Sequence, residues 1–291
     1  MLSGSLEPDN IGYTNLSNGG DGDTPTSANW QTAIDLYDNL DVDLMTVVTT
    51  DSTVHGLLST HVSARSAVNK ERIGIVGCGA SETVGTYSTP TTIVGRAYSL
   101  NSDRMILTAP GVSTLSPKFT AAKVCGLLAS VDVATPLTHR SISATAIETK
   151  FSSSEKDDLI TYGVTAIEEV PSGRRVIRGV TTAQDLSSTT EHPFKEISTR
   201  RIADYVNKSV RDSLESVYIG KKGVDGIESS MAATTTSLLL QMKEQQIVVG
   251  FKDVVVTKST TNATVYYVSY KVAPVQPINY ILITTVLTNV L

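Results

Sequence analysis

Three short apolar runs constrain this chain most: DLMTVVTT (residues 43–50), RIGIVGC (72–78) and DRMILTAPG (103–111). None has the polar alternation of a half-exposed strand, so each needs cover on both faces. Strands of that kind sit in sheets with helices packed on either side. Helical patterns stand between and after them. NWQTAIDLYDNL puts Trp30, Ala33, Ile34, Tyr37 and Leu40 on one face, with Asn29 as its N-cap. STVHGLLSTHVSAR and the small-residue stretch FTAAKVCGLLASVD are the other two. This order predicts an α/β layer with a partly parallel sheet. Further on, SSSEKDDLITYGV predicts a helix capped by Ser153 or Ser154, with acidic residues in its first turn, and RRVIRGVTT a strand.

The pattern changes after DLSSTTEHP, the clearest linker by composition. The expected division is an N-terminal loop at 1–27, an α/β core at 28–184, a linker at 185–193 and an α+β unit at 194–291. In the last unit, Ile197, Ile202, Tyr205, Val206, Val210, Leu214 and Val217 recur at helical spacing up to a stop at Gly220. A second helix spans about 226–243. QIVVGFKDVVVTK and ATVYYVSYKV, joined by the turn STTN, predict an antiparallel pair. Pro274 and Pro277 then set off a terminal strand over 279–287. In that strand Asn279, Ile281, Ile283, Thr285 and Leu287 form one face, and Tyr280, Leu282, Thr284 and Val286 the other. Both faces are largely apolar, so something must cover both. A membrane span does not fit, since only 14 residues follow Pro277 and a spanning helix needs about 20.

The formal net charge of −5, with acids and bases interspersed, lacks the dense basic patch of a nucleic-acid binder. Cys78 and Cys125 lie in apolar neighbourhoods, which suits two thiols in a reducing compartment better than a disulfide. IGIVGCGASETVG approaches a dinucleotide fingerprint, but Glu82 stands where the third glycine belongs, and Thr89-Pro90 interrupts the following helix. Asp51, His61 and Ser230 echo a Ser-His-Asp triad in chain order. Asp51 and His61 are only ten residues apart, however, and Ser230 lies beyond the linker. Gly220-Lys221-Lys222 is no phosphate loop, and His55, His61, His139 and His192 have no metal-ligand spacing. The reading is therefore no enzyme, cofactor or metal, with a serine-protease-like α/β hydrolase carrying a β appendage as the alternative. The charged runs SEKDD, GRR, TRR and GKK read as solvated faces, with pairing across a subunit interface as the alternative.

Taken together, several blocks resemble the contractile tail sheath proteins of bacteriophages and related injection machines. They are LSNGGDGDTPTSANWQTAIDLYDNLDVDLMTV, RAYSLNSDRMILTAPG, FTAAKVCGLLASVD, GVTAIEEV, RVIRGVTT, EISTRRIADYVNKSVRDSLESVYIG and YKVAPVQPINYILITTVL, in this order from about residue 16 onward. The resemblance implies a subtilisin-like α/β core without protease activity, followed by an α+β C-terminal domain with two helices and a mainly antiparallel sheet. It implies a structural subunit that assembles with itself around an inner tail tube in the host cytoplasm. In the virion tail it would meet baseplate and tail terminator proteins, with no nucleic acid and no membrane insertion. It would contract by a difference in packing free energy. Extended arms in this family add strands to a neighbour's sheet, so Tyr280, Ile281, Leu282, Ile283, Val286 and Leu287 become the candidate intersubunit strand. Family members carry a segment ahead of the Gly/Asp loop that includes a donor arm. Here about fifteen loop-like residues, MLSGSLEPDNIGYTN, precede it, so a trimmed or shortened form is expected.

Overall fold

The structure is a computed structural model, and it describes residues 22–112, 116–184 and 192–281. The proposed linker, but for His192 and Pro193, therefore lies outside the described residues, as do residues 1–21 of the N-terminal loop.

Helix α1 (Ser27–Asp35) leads to strand β1 (Leu44–Thr46), helix α2 (Ser52–Ser66) and strand β2 (Ile73–Gly77). Helix α3 (Ile93–Leu100), strand β3 (Met105–Ala109), helix α4 (Pro117–Ala129) and helix α5 (Ser153–Thr161) follow. Strands β4 (Val164–Val170) and β5 (Gly173–Val176) complete the layer. The strands form one sheet in the order β1-β2-β3-β4-β5, parallel from β1 to β4, with β5 antiparallel to β4. Every residue of β2 and β3 is buried. Met105, Leu107 and Ala109 point to a core shared with Val54, Leu58 and Val62 of α2. Ile73, Ile75 and Ile106 point to the opposite core, against Ala121, Val124 and Leu128 of α4. The chain thus builds the two-sided α/β layer that the apolar runs demand.

Local chemistry corrects several boundaries. The N-cap of α1 is Thr26, not Asn29. Asn29 sits at the third helical position and returns its side chain to the Thr26 backbone, closing a capping box. Ser152, not Ser153 or Ser154, caps α5 in the same way with Glu155. Tyr37 and Leu40 lie beyond the end of α1, both exposed. Helix α3 was not expected; it starts after Thr89-Pro90, where Thr92 caps it through the Gly95 amide.

Helices α6 (Ile197–Tyr218) and α7 (Ile227–Glu244) precede an antiparallel hairpin of β6 (Val248–Lys258) and β7 (Tyr266–Pro274). The turn between the helices uses Gly220 and Gly226, whose φ of 80° and 85° few side chains tolerate. Ile202, Val206 and Val210 of α6 and Leu239 and Met242 of α7 form a third core beneath Ile247 and Val248. The start of α6 is no free-standing element, because Ile197 is part of the α4-side core.

Charged residues fasten α6 to the layer. Arg104 makes a bidentate pair with Asp204 (2.9 and 3.0 Å), and Arg200 bridges Asp103 and Asp204. Arg211 grips Glu71 bidentately at 2.9 Å, and Lys208 reaches Asp41 and Asp43. This corrects the reading of TRR as a solvated face: Arg200 is buried and paired within its own chain. The GRR and SEKDD runs pair internally too, through Arg174–Glu169, Arg175–Glu168 and Lys156–Glu168. Burial alone would raise the carboxyls of Glu71 and Glu168. Their hydrogen-bonded cations outweigh it and hold both below the ordinary 4.5.

Two outcomes follow. Asp204→Ala strands the Arg104 guanidinium in a mostly buried site and should cost about 3 kcal/mol in urea denaturation, whereas Asp41→Ala, at an exposed pair, should cost under about 0.5 kcal/mol. Because the folded pKa values of Glu71 and Glu168 are depressed, their stabilisation is complete above about pH 5. The urea midpoint should therefore hold steady near neutrality and fall as pH drops below about 4.5 through the folded values.

Candidate functional site

The three triad candidates are held in separate roles. Asp51 is the N-cap of α2, its Oδ1 accepting from the Thr53 amide at 2.8 Å. His61 lies ten residues along, about 15 Å at helical rise. It is buried, with Arg72 Nη1 at 2.7 Å from Nε2 and Asp38 at 3.5 Å from Nδ1. A guanidinium can only donate, so Nε2 accepts and the ring proton sits on Nδ1, facing Asp38. Burial first, and then the Arg72 charge, push the imidazole pKa down, so this is a neutral structural histidine. Ser230 is exposed on α7, with Oγ 2.8 Å from the Tyr218 hydroxyl. Asp35 joins Asp38 and His61 in a small cluster that spacing had not revealed. Arg65 already pairs with Asp38 and Arg72 takes the His61 Nε2 lone pair, which disfavours a cation there.

The glycine loop is likewise self-satisfied. Glu82 Oε2 accepts from the Gly79 amide at 2.8 Å, and the carboxylate pairs with Arg96. A tethered anion thus fills the position a phosphate would use. Gly77 serves close packing, because a Cβ there would penetrate the Pro117 carbonyl at the start of α4. Cys78 and Cys125 are free thiols, and burial raises both above the ordinary thiol pKa. These sites are occupied by their own structure.

The remaining chemistry is at the hairpin. Its alternation is clear along β7: Tyr266, Val268, Tyr270 and Val272 turn toward the helices, while Tyr267, Ser269, Lys271 and Ala273 face out. Phe251, Val254, Tyr270 and Val272 pack on the third core, and the Tyr270 hydroxyl donates to Asn207 of α6 at 2.9 Å. On the outer face Val249, Val255 and Tyr267 are exposed, and Lys271 pairs with Asp253. The register shifts between Val248 and Gly250 and between Lys252 and Val255, where Asp253 adopts φ 57°. Among the described residues no third strand pairs with either β6 or β7. A two-stranded ribbon is marginal by itself, and its edges present backbone donors and acceptors.

Immediately after β7 comes the predicted terminal strand. Residues 279–281 adopt neither strand nor helix in the isolated chain, and Ile278, Tyr280 and Ile281 are 80%, 70% and 78% exposed. Leu282, Ile283, Val286 and Leu287 lie outside the described residues. Exposed apolar side chains therefore leave the fold beside an unpaired ribbon.

Comparison with known proteins now gives the class. A family profile described as the phage tail sheath C-terminal domain matches residues 189–288. A tail sheath protein of Bacillus phage SP01 is 33% identical over 286 residues, covering 94% of this chain and 48% of that protein. In shape, the chain is similar to the crystal structure of a sheath tail protein from Listeria innocua (TM-score 0.73, 15% identity, 89% of this chain and 59% of that one). It is also similar to the helical sheath of the anti-feeding prophage in its contracted state (TM-score 0.66, 13% identity, 89% and 74%). The chain belongs to the phage tail sheath family. It spans about half the length of the curated relatives it matches.

The assignments of the triad residues separate on substitution. His61→Ala removes the acceptor of a buried guanidinium and should cost about 1–3 kcal/mol, whereas Ser230→Ala should stay within about 0.5 kcal/mol, both read by thermal and urea unfolding.

Proposed function

We propose that this chain forms the assembling part of a contractile sheath subunit, which polymerises around an inner tail tube and drives it through the host envelope on contraction. The observation that carries this reading is the β6–β7 ribbon, unpaired along both edges among the described residues and followed at once by exposed apolar side chains. Residues 279–287, with Tyr280, Ile281, Leu282, Ile283, Val286 and Leu287 as contacts, would add as a strand to the corresponding ribbon of a neighbouring subunit. A nine-residue strand spans about 30 Å, enough to bridge two bodies as they rotate. Main-chain hydrogen bonds would supply adhesion, and alternate side chains register.

The same reading places the protein in the virion tail, assembled in the host cytoplasm, with tube, baseplate and terminator proteins as partners and no nucleic acid. Its core, 28–184, is taken as subtilisin-like without catalysis, joined across 185–193 to the domain at 194–291. The four parallel strands with helices on both faces support the first point, and the dispersed Asp51, His61 and Ser230 support the absence of a protease. The work of contraction then comes from packing between subunits.

Deleting residues 277–291 should give a folded monomer by circular dichroism and light scattering that builds no hollow tubes in electron micrographs under conditions where the full chain does. Ordered tubes from the deleted chain would refute the strand-addition reading. Loss of the C-terminal fold would show instead that the segment completes its own sheet.

A further inference from the structure

The exit of the C-terminal segment is held by polar contacts, not by its apolar side chains. Asn279 Nδ2 donates to Glu196 Oε1 at 2.9 Å, and Asn279 Oδ1 accepts from the Thr138 hydroxyl at 3.0 Å. The same Glu196 oxygen accepts from Arg178 Nε at 2.6 Å, in an ion pair whose side chains are 8% and 9% exposed. Glu196 is also the N-cap residue of α6, and its backbone bridges to Val180. One amide therefore bonds two distant stretches of chain directly, the loop after α4 and the start of α6, and through Glu196 it is linked to Arg178 in the segment after β5. Three residues earlier, Gln276 Oε1 lies 3.5 Å from the Thr199 hydroxyl, a weaker second contact. The flanking Ile278, Tyr280 and Ile281 are mostly in solvent. If apolar adhesion held this segment, those side chains would be covered.

We infer that Asn279 is a positioning residue: it pins the departure point of the C-terminal segment to the Arg178–Glu196 pair where α6 meets the α/β layer. This rests on the reading that the residues beyond it pair with a neighbouring subunit. The pin divides the segment. Asn279, at the head of the 279–287 strand, stays with its own subunit, and residues from Tyr280 onward are available to a partner. A single departure point gives every subunit the same reach and direction toward its neighbour, which a regular helical lattice requires. The amide suits this task because it donates to the carboxylate while accepting from the hydroxyl. An Asp at 279 would set a second carboxylate against Glu196, and an Ala would remove both bonds.

The test uses the full chain in two measurements. In the unassembled protein, backbone ¹⁵N relaxation reports order at 278–281. Asn279→Ala and Asn279→Asp should drop the order parameters there to below about 0.6, from values near those of the folded body, with unfolding temperature unchanged. Thr138→Val, which alters only the partner, should move them in the same direction. Unchanged order parameters in the Asn279 variants would overturn the pin, whatever the assemblies look like. In the second measurement, Asn279→Ala should yield tubes that are fewer and irregular in diameter by electron microscopy. Tubes as regular as the parent's, alongside lowered order parameters, would overturn the positioning role in assembly. Failure of the strand-addition reading itself shows elsewhere, as ordered tubes from the chain lacking 277–291.

Discussion

Strands β2 and β3 have no side chain facing water, and the position of nearly every other element follows from the cover they need. One face is met by α2 and the elements around it. The other is met by α4 and, notably, by Ile197 in the first turn of α6. Once α6 has been drawn into that core its direction is set, and the ion pairs of Arg104, Arg200 and Arg211 fasten the next four turns to the layer. Helix α7 and the β6–β7 ribbon build on α6. The orientation of the ribbon is thus inherited from the burial demand of two strands in the other half of the chain.

The polar groups that look chemical in this sequence are consumed internally. Arg72 is buried and bonds to His61 and the Leu40 carbonyl; Glu82 bonds to a glycine amide and Arg96; Arg178 bonds to Glu196. Burying a charge is costly unless hydrogen bonds and an opposite charge compensate it. A fold that hides so many guanidiniums must therefore spend its carboxylates and imidazoles on them. Among the described residues, backbone at the edges of the ribbon and apolar surface at its exit remain without such partners. Under the proposed function, those are the materials of assembly.

Much of this was legible in the sequence, for identifiable reasons. The buried strands are continuous apolar runs, and the C-terminal helices and hairpin have clean periodicities, so their existence and type could be read directly. Helix α3 was hidden, because Thr89-Pro90 suggested interruption where Thr92 in fact begins a helix. The caps of α1 and α5 shifted because a capping box depends on a reciprocal bond, and several neighbouring Ser, Thr and Asn residues compete for that role. The ion pairs joining α6 to the layer link residues about 100 to 167 positions apart, and no local pattern predicts such partners. Asn279 was counted as one member of an apolar face. Its contacts with Thr138 and Glu196 arise only from the tertiary fold.

The shape of the ribbon carries a mechanical consequence. Strand β6 has eleven residues and extends about 36 Å, most of it paired lengthwise with β7. A force applied along such strands loads the whole ladder in shear, so its hydrogen bonds resist together. A force applied across them peels the bonds one at a time. A strand laid along this edge and pulled lengthwise would therefore hold far more strongly than the same strand pulled sideways, while the two irregularities in the β6–β7 ladder fix the ribbon's own register.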